Sequence, residues 1–331
     1  MRLYLLIACI FALSGIASNC LAASSGYVIA ANKGDHAIGI VDPKSGKQVA
    51  EVDAGGITPH EVVASADGKY AFAPIYGDSG VGKPGTDGAT IAVIDLAARK
   101  LVRHIDLGKG LRPHCPVFNP VTGVLYVTTE LQQAVTVIDP GTLKIIGTIP
   151  TGQNESHMLA VSPDGKWGYT ANVGPGTVSV LDLTAKKTAA IIPISGNTQR
   201  ISITPDGKKV FTADQTQPRM AVIDTATRRV SGWLPLPAPG YGTAVTPNGK
   251  WLIVAVPAAN KVVAIDLDSG KISKSLDVPA APQEVLISPD GGTAWVSCDK
   301  SGKIAQIDTS SWTVSRLIDA GKTVDGLAWV Q

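Results

Sequence analysis

Three histidines recur at the same place in successive segments of the chain. His60, His114 and His157 lie 54 and 43 residues apart, and the sequence has only five histidines. Imidazole titrates near neutral pH and binds Zn, Cu and Fe well. Three neutral imidazoles with an open coordination position form one known type of catalytic zinc site. The pattern predicts a transition-metal site (Zn, Cu or Fe) or a histidine acid–base site. Ligand binding without chemistry, and polar residues that only line a wet channel, are the alternatives.

The same alignment extends this set to seven positions. Each lies six residues before the proline, or its equivalent, of a Pro-Asp-Gly-like turn, and the later four are Gln199, Tyr241, Gln283 and Asp325. The residues that directly follow these seven positions include Glu61, Cys115, Arg200 and Glu284. Because neighbours in a strand point to opposite sides, the sequence leaves open which set faces inward.

Candidate roles follow from residue type. In an enzyme, the three histidines would hold the metal or move protons, and Arg200 or Tyr241 would position the substrate. The catalytic candidates are therefore His60, His114, His157, Arg200 and Tyr241. The ligand-binding candidates are His36, Tyr76, Arg112, Glu130, Arg200 and Tyr241.

Several function classes are disfavoured. The formal net charge is +2 with no basic stripe, which argues against nucleic-acid binding. No Cys-Xaa-Xaa-Cys-His haem motif is present, and no Ser-His-Asp or paired-carboxylate motif can be identified.

Internal repeats dominate the rest of the chain. Turns such as Ser-Pro-Asp-Gly-Lys at 162–166 recur, and Asp-Gly or Asn-Gly between β-prone runs predicts tight hairpins. Seven hydrophobic-Asp pairs close alternating apolar runs, and their aspartates are spaced 53, 44, 43, 42, 42 and 42 residues apart. Those aspartates are Asp42, Asp95, Asp139, Asp182, Asp224, Asp266 and Asp308. Repetition in every unit indicates a structural turn rather than a site.

Each repeat of about 42 residues fits four short strands, which predicts an all-β, seven-bladed β-propeller with antiparallel blades. The expected mature chain, from residue 23, opens with a second strand, 27–30, and ends with a first strand, 326–330. Joining the two completes the closing blade and leaves no open sheet edge. We expect one domain over residues 23–331.

The repeat resembles that of the YVTN β-propeller family (YncE-like, or surface-layer-type, YVTN repeat proteins). The shared pattern is Ser-Pro-Asp-Gly-Lys, a Tyr-Val-like strand and then Val-Xaa-Val-Ile-Asp, across nearly all of residues 25–331. The resemblance implies a seven-bladed ring. It implies little about activity, because the fold hosts binding proteins, lyases, lactonases and metalloenzymes.

One repeat carries a glycine-rich insertion. Residues 74–89 explain the 54-residue spacing, and they map beside the histidines. A lid over the channel mouth and a merely tolerated surface insertion are both compatible with this composition.

The N-terminus predicts export. Residues 1–22 combine Arg2, an apolar run and a small residue at Ala22, which is typical of a cleaved signal peptide. No later stretch could span a membrane, so we expect a periplasmic or secreted monomer, from a bacterial or fungal host. Its remaining cysteines, Cys115 and Cys298, map to non-adjacent blades, which argues against a disulfide.

The sequence therefore predicts an exported propeller that binds a small ligand or metal at a histidine-lined channel mouth. One alternative is a metal- or histidine-assisted enzyme on the same face: a lyase, a lactonase-like hydrolase or an oxidoreductase. Another is an envelope scaffold that binds proteins through its rim loops.

Overall fold

The computed structural model describes residues 26–331 and consists of seven four-stranded antiparallel sheets. The predicted seven-bladed β-propeller is confirmed. Blade seven combines the two chain ends. Its strands are β1 (Tyr27–Asn32), β2 (Ala37–Asp42), β3 (Lys47–Asp53) and β28 (Val324–Val330).

The other six blades follow in chain order, each from its inner to its outer strand. Blade one has β4 (Val63–Ala64), β5 (Tyr70–Gly77), β6 (Asp87–Asp95) and β7 (Lys100–Asp106). Blade two has β8 (Pro113–Phe118), β9 (Leu125–Thr129), β10 (Ala134–Asp139) and β11 (Lys144–Pro150). Blade three has β12 (Ser156–Val161), β13 (Trp167–Asn172), β14 (Thr177–Asp182) and β15 (Lys187–Pro193).

Blade four has β16 (Thr198–Ile203), β17 (Lys209–Asp214), β18 (Arg219–Asp224) and β19 (Arg229–Pro235). Blade five has β20 (Thr243–Val245), β21 (Trp251–Val256), β22 (Lys261–Asp266) and β23 (Lys271–Asp277). Blade six has β24 (Pro282–Ile287), β25 (Thr293–Cys298), β26 (Lys303–Asp308) and β27 (Thr313–Asp319). Single 3₁₀ turns at Lys33–Asp35, Glu130–Gln132, Pro257–Ala259 and Asp299–Ser301 join second to third strands.

Ring closure occurs within blade seven. The C-terminal strand β28 pairs antiparallel with β1, from Tyr27 opposite Val330 to Asn32 opposite Val324. This pairing leaves no open sheet edge at the seam, as the positions of the two termini predicted.

The core lies between the blades. Middle strands such as β9 are buried throughout, because both sheet faces pack against neighbouring blades. The outer strand β3 instead alternates exposed and half-buried residues, with one face toward solvent. Burial of both faces explains why the middle strands are runs of valine, isoleucine and alanine rather than strictly alternating sequences.

The seven repeated aspartates form turns, as predicted. Each side chain accepts a hydrogen bond from a backbone N–H two or three residues later, at 2.7–3.1 Å, for example Lys44 N to Asp42 Oδ1 at 2.9 Å. This is the Asx-turn arrangement, which ties the third strand of each blade to the fourth.

In residues 26–331 no helix is long and apolar enough to cross a membrane. The predicted signal peptide, residues 1–22, lies outside the described residues.

Candidate functional site

Two aromatic ring contacts join the three predicted histidines at one mouth of the channel, and a third adds Tyr76. The rings of His114 and His157 stack with centroids 3.5 Å apart and planes 30° apart. His60 meets His114 edge to face at 5.3 Å, and the ring of Tyr76 lies 4.6 Å from that of His60. The structure thus brings together the histidines of blades one, two and three.

Glu130 connects this cluster to a hydrogen-bonded chain. It begins the 3₁₀ turn that follows β9 and is buried, with 2% of its surface exposed. One carboxylate oxygen, Oε1, bonds with Nδ1 of His157, and the other, Oε2, accepts a hydrogen bond of 2.8 Å from Tyr76 Oη. A carboxylate that bonds to one nitrogen of an imidazole fixes the orientation of its ring, as in an acid–base dyad.

Burial sets the protonation of the neighbouring groups. Burial, then the charge of Glu130 and its hydrogen bond, raises the pKa of Tyr76, which keeps the phenol protonated. Desolvation lowers the pKa of His114 well below its ordinary value, and it lowers that of the half-buried His60 to about 3. Both imidazoles are therefore neutral near pH 7.

A pocket of about 400 Å³ opens beside Glu130. Its walls come from the blade-one insertion, the second-to-third-strand turn of blade two and the loop that leads into β12. The lining residues are Gly82, Lys83, Pro84, Arg112, Glu130, Leu131, Gln133, Asn154 and Glu155. A pocket of this size, lined by convergent polar groups, suits a small ligand.

Arg112 lies in this pocket wall and bonds to the insertion. Its Nε lies 2.6 Å from Asp87 Oδ1, and Nη2 donates to the carbonyl oxygen of Lys83 at 2.8 Å. The role of Arg112 as a direct ligand contact stays a prediction.

A second polar cluster surrounds Arg200 in the channel. Nη1 of Arg200 bonds with Glu61 Oε1 at 2.5 Å and with Glu284, while Nη2 lies 2.9 Å from Asp325 Oδ1. Lys33 adds a salt bridge of 3.0 Å to Asp325. The cluster therefore joins the inner strands of blades four, six and seven to the segment that precedes β4 of blade one.

The charges in this cluster are strongly coupled. Burial alone would lower the pKa of Arg200, but the carboxylates of Glu61, Glu284 and Asp325 raise it. Desolvation raises the pKa of Glu61 well above its ordinary value, whereas Arg200 and Lys33 overcome desolvation at Asp325 and lower its pKa. The guanidinium stays charged, and at least Asp325 neutralises it.

β-bulges explain why both neighbouring sets of residues reach the mouth. The pairing of β16 with β17 shifts register between Gln199 and Ile201, so Arg200 is the extra residue, with φ 52°. The pairing of β12 with β13 shifts in the same way at His157. A bulge redirects a side chain and breaks strict alternation. Members of both adjacent sets, such as His157 and Arg200, therefore lie at the mouth.

The remaining two ligand-binding candidates, Tyr241 and His36, differ in what they contact. The ring of Tyr241 lies 4.9 Å from Cζ of Arg200, a cation–π contact at the mouth. His36 is exposed at the end of the first 3₁₀ turn, and its Nδ1 is 3.1 Å from the carbonyl oxygen of Ile57. His36 makes no ring contact with the other histidines among residues 26–331.

Both cysteines in the described range, Cys115 and Cys298, are free and buried. Burial raises the pKa of each thiol, to about 12 for Cys298. They are small packed side chains, consistent with the absence of a disulfide between them.

The histidine rings do not fit a shared metal ion as they are arranged. Two imidazoles on one tetrahedral ion diverge from it, whereas the rings of His114 and His157 lie face to face at 3.5 Å. No group of three or more His, Cys, Asp or Glu side chains within residues 26–331 has an arrangement that could hold a metal ion. The metal site stays a prediction that elemental analysis can test.

Comparison with known proteins gives the family. A family model described as "Lactonase, 7-bladed beta-propeller" matches residues 27–231. The chain belongs to this lactonase family of seven-bladed β-propellers. This family match does not extend to the YVTN group, which the repeat resembles. No curated protein matches the chain.

The lactonase-family propeller is also similar to a solved chain described as Kuenenia stuttgartiensis hydrazine synthase. The two share 21% sequence identity with a TM-score of 0.74, over 84% of this chain and 91% of that chain. At this identity the likeness concerns the fold alone.

Sequence reasoning missed two charged groups at the mouth. Lys33 and Asp299 come from 3₁₀ turns and pair at 3.4 Å. Isolated charges in loops carry no periodic signal, so only the folded ring shows that they converge.

Proposed function

We propose that this propeller is a hydrolase that opens the ring of a small lactone in the pocket beside Glu130. Membership of the lactonase family supports the reaction class. The observation that carries the proposal is the Tyr76–Glu130–His157 chain, whose central residue Glu130 lines the pocket.

The residues supply acid–base chemistry of the required kind. The Glu130–His157 pair accepts a proton from the water molecule that attacks the lactone carbonyl. The bond between the carbonyl carbon and the ring oxygen then breaks, and the same proton passes to the departing alkoxide. The product is the open hydroxy acid, so one water is consumed and no other reactant is needed. Tyr76 stays protonated and holds Glu130 in place.

Hydrolysis of γ- and δ-lactones, followed by acid release in a pH-stat, tests the proposal. The wild type should accelerate hydrolysis of at least one lactone, and Glu130→Gln should reduce kcat by about 10²-fold or more, the size usual for loss of a general base. Glu51→Gln is the matched control, because Glu51 is exposed on the outer strand β3. Equal rates for the wild type and Glu130→Gln would refute the proposal.

We also propose that the enzyme acts outside the cytoplasm. The support is the signal-peptide pattern of residues 1–22. Intact-mass measurement of the protein from a full-length gene should give a chain that begins at Ala23. A mass that retains residues 1–22 would contradict export by this route.

A further inference from the structure

We infer that the insertion in blade one is a fixed wall that limits the size of the ligand, and that Arg112 is the positioning residue that holds it. The inference rests on the proposed function for the kind of ligand. The geometry of the wall does not depend on that function.

The insertion forms one side of the pocket. Strands β5 and β6 extend as a hairpin to the pair Gly77 and Asp87, and residues 78–86 form the loop between them. Gly82, Lys83 and Pro84, at the tip of this loop, line the pocket opposite Glu130 and Gln133. In blade two the corresponding connection is only the short turn at Glu130–Gln132. The longer connection of blade one therefore supplies a side of the pocket that a short turn such as that of blade two would not reach.

Arg112 holds this loop with all three of its side-chain nitrogens. Nε bonds with Asp87 Oδ1 at 2.6 Å, Nη2 donates to the Lys83 carbonyl oxygen at 2.8 Å, and Nη1 lies 3.4 Å from the Gly80 carbonyl oxygen. The Arg112 side chain is 8% exposed. A planar guanidinium can make these divergent contacts at once, which a lysine amine cannot reproduce.

A hydrogen bond closes the loop at its base, and its tip lies close to blade three. Asp78 Oδ1 accepts a hydrogen bond of 2.6 Å from the Thr86 backbone, and the Lys83 N–H donates to the Gly80 carbonyl at 2.9 Å. At the tip, a Cβ on Gly82 would lie 2.7 Å from Glu155 Oε1. Glu155 is itself held by the Gly174 N–H at 2.7 Å, so the loop reaches blade three. These contacts indicate a wall in contact with two blades rather than a loop that hangs free.

Two substitutions separate the geometry of Arg112 from its charge. Arg112→Met removes every hydrogen bond to the loop, and Arg112→Lys keeps the charge without the planar group. Arg103→Met is the control, because Arg103 is exposed on the outer strand β7 of blade one.

The first readout is kcat and KM for γ-lactones with alkyl side chains of increasing length, from γ-valerolactone to γ-dodecalactone. In the wild type, kcat/KM should fall steeply with length. Arg112→Met should reduce this discrimination by about tenfold or more, with a raised KM and little change in kcat for the shortest lactone. Arg112→Lys should fall between the two. An unchanged length profile in Arg112→Met would overturn the inference.

The second readout does not require activity. Hydrogen–deuterium exchange of residues 78–86 should be slow in the wild type and Arg103→Met, and at least tenfold faster in Arg112→Met. Equal exchange in all three would show that Arg112 does not hold the wall.

If the wild type hydrolyses no lactone, the proposed function fails. A third readout then tests the wall by itself. Gln133→Cys places a thiol at an exposed position of the pocket lining, and iodoacetamide and fluorescein maleimide serve as small and bulky probes. Adding Arg112→Met should raise bulky labelling relative to small labelling. An unchanged ratio would refute the wall.

Discussion

Tyr76 Oη lies 2.8 Å from Glu130 Oε2, although the two residues are 54 positions apart and belong to different blades. The contact exists because β5 extends to Gly77 and because Glu130 begins a 3₁₀ turn directly after β9. Tyr76 is completely buried, and its phenol donates to the Glu130 carboxylate. Such a contact holds Glu130 in one orientation beside the pocket.

Replacement of Tyr76 by phenylalanine tests this contact. The substitution removes a hydrogen bond to a charged group, which is worth roughly 1.5–3 kcal/mol. We expect kcat for lactone hydrolysis to fall at least about tenfold because Glu130 loses its fixed orientation. Tyr70→Phe, at the start of the same strand, is the control. If Tyr76→Phe and Tyr70→Phe retain equal activity, the contact does not position Glu130.

Removal of the central guanidinium should destabilise the ring. Arg200→Met leaves Glu61, Glu284 and Asp325 without their shared partner, and loss of one member of a buried ion pair costs about 3–5 kcal/mol. Urea denaturation of Arg200→Met should show a matching fall in the free energy of unfolding. Arg103→Met, an exposed arginine, should change it by less than about 0.5 kcal/mol. Equal midpoints for the two variants would contradict the role of the cluster.

The stability of the fold should fall as the pH drops below about 6.5, the ordinary pKa of histidine. Burial lowers the pKa of His114, so the unfolded chain takes up a proton that the folded chain does not. The stabilisation is complete above the ordinary pKa and is lost as the pH falls. We expect the free energy of unfolding, measured in urea at pH 7, 6 and 5, to depend less steeply on pH in His114→Phe. Parallel curves would show that His114 does not titrate in this way.

Removal of metal ions should leave lactone hydrolysis unchanged. The proposed acid–base groups are side chains, and the stacked rings of His114 and His157 do not diverge from a common ion. Elemental mass spectrometry before and after dialysis against EDTA, together with the rate, checks this. Loss of activity that added Zn, Cu or Fe restores would instead support the metal site predicted from sequence.

The fold could be predicted from the sequence because its signals repeat. Seven hydrophobic-Asp pairs, each closing a third strand with an Asx turn, determine the blade number. The same alignment placed His60, His114 and His157 on successive blades, and the structure brings their rings together.

The detailed site could not be predicted, because it depends on departures from the repeat. A bulge at Arg200 aims its side chain into the channel, where it meets Asp325, 125 positions away. In the sequence Glu130 is one of several charged residues in loops, and only the fold shows its contacts with Tyr76 and His157. Nothing in the sequence indicated that Arg112 holds the insertion through Asp87 and backbone carbonyls.

A double-mutant cycle of Glu130 and His157 tests the central claim most directly. The measurement is kcat for the best lactone substrate in the wild type, Glu130→Gln, His157→Asn and the double variant. Residues that act as one catalytic unit show losses that do not add. We predict a loss of about 10²-fold or more in each single variant and no further loss in the double variant. Losses that multiply in the double variant, or wild-type rates in either single variant, would contradict the claim.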